Sequence, residues 1–75
     1  MQIHKEVDVC GLNCPLPILR VKMALSDMKS GQVLKVLTTD FNSYQDFIIF
    51  SKQTGNKITK SEMNGKIFVF LIRRR

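Results

Sequence analysis

Two cysteines lie four positions apart in the run Asp8-Val9-Cys10-Gly11-Leu12-Asn13-Cys14-Pro15-Leu16-Pro17, which leads into an amphipathic segment. Cys14 falls at the expected N-cap of that segment, with Pro15 at the first helical position, where a fixed φ and a missing donor do no harm. Pro17 removes the N–H that a capping side chain would usually bind, leaving Leu16 and Ile18 as the nearby free donors. A sulfur at this place feels the positive end of the helix dipole, which lowers a thiol pKa. A shift of one unit raises the thiolate fraction at pH 7 from roughly 3% to roughly 24%, and the thiolate is the nucleophile.

No partner base is needed for this. His4, the only histidine, falls on a strand near the amino end, where a structural or solvated role is expected. The plain alternative for Cys14 is a buried, inert thiol, since free cysteine behaves as a small hydrophobe. Two prolines flanking Leu16 stiffen the backbone around the sulfur, which a core filler does not require. Cys10 is open to three readings: a packed residue at a strand end, a resolving thiol or a metal ligand. Two cysteines and one distant histidine fall short of a four-ligand zinc set, and the spacing is not Cys-x-x-Cys, so neither metal nor cofactor is expected.

The elements that must hold this cysteine follow from periodicity. Ile3, Lys5, Val7 and Val9 alternate with Glu6 and Asp8, a first strand ending before Gly11. From Pro15 to about Met28, Leu16, Leu19 and Met23 and, offset, Ile18, Val21, Leu25 and Met28 recur at helical steps, with Arg20, Lys22 and Asp27 on the remaining face. Val33 to Thr38 is a second strand, parallel to the first because a helix joins them. Ser43-Tyr44-Gln45-Asp46 approximates a capping box for a second helix, built by Asn42 or Ser43, carrying Phe47, Ile48 and Phe50 and stopped by Gly55. Asn64-Gly65 between Lys57 to Met63 and Lys66 to Arg73 predicts a hairpin with a type I′ turn.

The order β-α-β-α-β-β predicts a two-layer α/β sandwich: a four-stranded mixed sheet with two helices on one face. Ile67 to Ile72 is apolar on both sides. Either that strand is the central one under both helices, with a greasy outer face that packs on a partner, or its outer residues are covered by neighbouring side chains.

At Gly11-Leu12-Asn13-Cys14-Pro15-Leu16-Pro17, with Asp8 three residues before the glycine, the sequence resembles the TusA/SirA family of small sulfur-carrier proteins. The likeness extends over nearly the whole chain, 1–75, as one domain, and the element order is similar to the carboxy-terminal domain of translation initiation factor 3. It implies that Cys14 accepts a sulfane sulfur as a persulfide and passes it to another protein's cysteine, with Asp8, Gly11, Pro15, Leu16, Pro17 and Ile18 in support. The implied partners are a cysteine desulfurase or rhodanese-type donor and an acceptor protein with a reactive cysteine. Relays of this kind feed tRNA thiolation, sulfur oxidation or cofactor sulfuration. One departure is that Asp40 is followed by Phe41, where members often carry Asp-Pro.

The 75 residues, 44% apolar, make one small domain, too small to enclose a large cofactor site. Two cysteines give at most one disulfide, so a reducing cytoplasm is expected, and no apolar run approaches a membrane span. Twelve Lys and Arg against six Asp and Glu, a net charge of +6, point to acidic protein partners or nucleic acid. Arg20 and Lys22, nearest the sulfur on the first helix, are the expected partner contacts. The terminal run Arg73, Arg74 and Arg75 is expected to be a solvated tail. Two rivals remain: an RNA-binding module using Lys52, Lys57, Lys60, Lys66 and the arginines, short of stacking aromatics because most of the Phe fall at core periods, and a Cys10/Cys14 thiol-disulfide switch.

Overall fold

The computed structural model of the chain describes residues 3–13 and 16–75; Cys14 and Pro15 lie outside the described residues. Along the chain come β1 (Lys5–Asp8), α1 (Leu16–Ser26), β2 (Val33–Thr38), α2 (Ser43–Thr54), β3 (Lys57–Asn64) and β4 (Ile67–Arg73). The strands form one mixed sheet in the order β1-β2-β4-β3. β1 is parallel to β2, with Val7 opposite Val36, as a helical crossover requires. β2 and β3 both run antiparallel to β4, with Val36 opposite Phe70 and Met63 opposite Phe68.

Alternation along the strands selects the buried face. Leu34 and Val36 of β2 and Phe70 and Ile72 of β4 share one core with Val21 and Leu25 of α1 and Phe47 and Phe50 of α2, so both helices cover the same side. Phe47 and Phe70 meet at the centre with ring centroids 5.0 Å apart, a spacing at which tilted rings attract. β4 is indeed a central strand. On its uncovered side Val69 and Leu71 are half-buried and Ile67 is exposed, with the ion pairs Lys35–Glu6 at 3.6 Å and Lys60–Glu62 at 3.4 Å along their flanks.

α1 departs from the expected face. Pro17, Val21, Ala24 and Leu25 are its buried residues, whereas Leu16, Leu19 and Met23 are 46%, 48% and 66% exposed. Positions 16, 19 and 23 form their own row on a helix, roughly 150° around the axis from the buried one, so periodicity alone marked both rows as apolar without saying which the sheet would cover. α2 also starts differently from a capping box. Asn42 occupies the N-cap without a side-chain bond. The work passes to Asp40, which accepts from the Asn42 N–H at 3.1 Å and the Ser43 hydroxyl at 3.1 Å. Gly55 ends α2 at φ 79°, donating its N–H to the Ser51 carbonyl.

The arginine run is no free tail. The Arg74 N–H donates to the Gln32 carbonyl at 2.8 Å, and its own carbonyl accepts from Gly31 at 2.8 Å, continuing the β2–β4 pairing past the last strand residue. Arg74 Nε donates to the Leu25 carbonyl at 3.1 Å and Arg75 Nη1 to the Thr54 carbonyl at 3.3 Å, so each guanidinium meets the last turn of a different helix. Lys5 Nζ joins at α1, 3.2 Å from the Ala24 carbonyl. Cations at these ends complement the negative pole of each helix.

The hairpin turn also differs from the sequence reading. Asn64 pairs with Ile67, so the two central residues are Gly65 and Lys66. Of the four only Gly65 has a positive φ, 67°, the pattern of a type II′ turn with glycine at its first central position and not of a type I′ turn on Asn64-Gly65. The consequence is measurable by urea unfolding: Gly65→Val should destabilise the chain by about 1–2 kcal/mol, while Asn64→Ala should stay within about 0.5 kcal/mol. Equal losses at the two positions would restore the type I′ turn.

Candidate functional site

The segment bearing the cysteines leaves the carboxyl end of β1 and is tied down on both sides of the undescribed pair. Asp8 Oδ1 accepts the Cys10 N–H at 2.9 Å, closing an Asx turn that directs the chain out of the strand. Gly11 follows at φ 83°, a conformation that L side chains rarely adopt. Its N–H donates to Thr39 Oγ1 at 2.8 Å, and the Val9 N–H to the Leu37 carbonyl at 2.8 Å. The loop after β1 is thus stitched to the loop after β2. Val9 is fully buried and Leu12 packs against the core, anchoring the loop from below.

On the other side the Leu16 N–H donates to the Asn13 carbonyl at 2.9 Å. Leu16 is therefore not the free donor that the sequence reading made it. Pro17 is buried in the first turn of α1 and Ile18 is half-buried against the core, so the residues after the expected sulfur are anchored by packing. No acidic residue stands in that first turn, so no carboxylate there offsets the positive end of the helix.

Asp8, Gly11, Leu16, Pro17 and Ile18 are thus gathered around the entry to α1, while Cys14 and Pro15 lie outside the described residues. Thr39 is a member the sequence reading missed. Its only signal was a polar residue directly after a parallel neighbour strand, where the rule that ligands gather at the carboxyl ends of such strands would have marked it.

Cys10 is a free, half-buried thiol. Burial pushes its pKa above the ordinary value, and the hydrogen bond and negative charge of Asp8 push it the same way. The Cys10 N–H in turn holds the Asp8 carboxyl below the usual range, with a smaller contribution from the thiol. A thiol so placed ionises less readily than a free cysteine.

Arg20 and Lys22, paired in the sequence reading, part company. Arg20 shares the exposed row with Leu16, Leu19 and Met23, at positions 16, 19, 20 and 23. Lys22 points toward α2, with Nζ 6.0 Å from the centre of the Phe50 ring. His4 is structural: its Nδ1 accepts the Val33 N–H at 3.1 Å.

The Asp8–Cys10 coupling has a direct readout. On a Cys14→Ser background at pH 7.5, iodoacetamide should alkylate Cys10 more slowly than free cysteine, and Asp8→Asn should speed the reaction several-fold by removing the negative charge that opposes the thiolate. Intact-mass time courses measure both rates; an unchanged rate in Asp8→Asn would disconnect the two groups.

Residues 5–74 match the family model described as Sulfurtransferase TusA. The chain is 54% identical over 70 residues to the sulfur carrier protein TusA of Allochromatium vinosum, covering 93% of this chain and 92% of that one. It is 43% identical over 68 residues to a relative from Neisseria meningitidis serogroup A, covering 91% and 92% of the two chains. The crystal structure of a SirA-like protein from Desulfitobacterium hafniense superposes with a TM-score of 0.81 at 25% identity, over 93% of this chain and 96% of that chain. The sheet order and these likenesses over nearly the full length agree: the chain belongs to the TusA sulfurtransferase family.

Proposed function

We propose that the chain is a sulfur carrier in which Cys14 holds the sulfane sulfur as a persulfide. The observation that carries this reading is the loop between β1 and α1: both flanks of Cys14 are pinned, by Gly11 to Thr39 and by Leu16 to Asn13, and the helix begins two residues later without an acidic side chain in its first turn. That positive helix end supports a lowered thiol pKa at position 14. In loading, the Cys14 thiolate attacks the outer sulfur of a donor persulfide and the donor thiolate leaves. In delivery, an acceptor thiolate attacks the outer sulfur on Cys14, and the Cys14 thiolate is released. Each step exchanges one sulfur–sulfur bond for another with no net redox change.

A cysteine desulfurase or rhodanese-type protein supplies the sulfur and a protein cysteine takes it, in the reducing cytoplasm. Residues 1–75 act as one carrier domain. Both partners must approach the same sulfur, so a shared docking face beside the loop is required. The row Leu16, Leu19, Arg20 and Met23 supports that role: large apolar side chains left in water next to a cation, on the helix that the cysteine precedes. Lys22, directed at Phe50, is the weaker of the two basic contacts.

Incubation with a cysteine desulfurase and cysteine should add one reducible sulfur atom to Cys14, seen by intact mass and peptide mapping. Cys14→Ser should abolish loading, and Cys10→Ser should retain most of it. Loading on Cys10, or equal loss in both variants, would favour the disulfide switch instead. Separately, Leu19→Glu should lower the rate of sulfur transfer at sub-saturating partner by about tenfold while leaving the circular dichroism unchanged; an unaltered rate would move the docking face elsewhere.

A further inference from the structure

Few aromatics stand free for stacking along the sequence, and the fold brings three of them together. At the end of the sheet that carries the cysteine loop, Phe41 is 73% exposed and Tyr44 is 39% exposed. Phe68, which registers with Thr38 at the end of β2, lies against both: its ring centroid is 5.7 Å from that of Phe41, edge to face, and 6.2 Å from that of Tyr44. With Asn42 and Gln45 these rings line a hollow of about 340 Å³, within the size range of small-molecule sites. Phe41 is held out by a built turn, since Asp40 fixes the next two residues through the Asn42 N–H and the Ser43 hydroxyl.

We infer that this hollow binds a nucleobase, stacked on Phe41 and Tyr44 with its polar edge toward Asn42 and Gln45. Three features favour a base over a hydrocarbon side chain. The described walls are aromatic faces and two carboxamides, each carrying both donors and acceptors, which suit the mixed edge of a heterocycle and are wasted on a phenyl ring. No charged residue is among those walls, so the ligand's flat portion enters uncharged. The whole chain carries +6, among the described residues Glu6, Asp27 and Glu62 are paired with lysines, and Lys66 stands in the hairpin turn two residues before Phe68, so a phosphate attached to the base meets a positive molecule. The base comes either from a free nucleotide or from single-stranded RNA. This function is separate from sulfur transfer and uses no cysteine.

The single tyrosine makes the hollow observable. Titration with UMP and AMP, and with octamers of the same bases, should shift the Tyr44 ring resonances saturably in NMR spectra, and fluorescence anisotropy of a labelled octamer gives its affinity. Phe41→Ala, at a position too exposed to endanger folding, should weaken binding about tenfold or more. An octamer bound more tightly than the mononucleotides identifies RNA as the source; equal affinities identify the free nucleotide, and both support the site. Three results would overturn it: no shift at Tyr44 with any of these ligands, octamer binding of equal strength in Phe41→Ala, or shifts produced by a phenylalanine-containing acidic peptide and by no nucleotide. None of them bears on loading of Cys14, so the sulfur-carrier reading stands or falls separately.

Discussion

The parallel pairing of β1 with β2 is the constraint on which the rest depends. A parallel neighbour can be reached only by crossing the sheet, so the chain must leave the end of β1, turn sharply and return as α1. The turn brings the start of α1 and the end of β2 to the same end of the sheet. There Gly11 reaches the Thr39 hydroxyl and Asp40 organises the next helix. The Gly11 loop and the start of the aromatic hollow are neighbours for that reason, although residues 11 and 41 are far apart in sequence.

The opposite end of the sheet is organised by charge. The last turn of α1 contains no basic residue of its own, so its carbonyls are met by Lys5 from β1 and Arg74 from the end of the chain. Arg75 serves α2, and its backbone N–H donates to the buried Asn56 at 2.8 Å. A chain this short has little core to hold its helix ends in place. Contacts between distant segments close that gap, and part of the net positive charge is thereby structural.

Aromatic packing connects the core to the surface. Phe47 and Phe70 are fully buried, Phe68 is half-buried, and Phe41 and Tyr44 emerge into solvent. Each ring touches the next at centroid distances of 5.0 to 6.3 Å. An exposed ring with a continuous aromatic path into the core is pre-positioned, which reduces the ordering that a ligand must impose on it.

Residue order by itself determined the element sequence, the parallel crossover, the hairpin and the cysteine that precedes a helix, because alternation, helical spacing and the glycine stops are local properties. Asp8 and Gly11 were also legible, as members of the family-like run, with Gly11 marking the end of the first strand. Tertiary structure decided what locality cannot. It chose which of two apolar rows on α1 faced the sheet, since Leu16, Leu19 and Met23 carry the same periodic mark as the buried set and only the crossing geometry separates them. It moved the hairpin turn by one residue, because strand register is fixed by pairing across the whole ladder and not by the two residues at the tip. It also turned a terminal arginine run into helix caps and brought Thr39 beside Gly11, contacts between segments far apart in the chain that exist only once the sheet has formed.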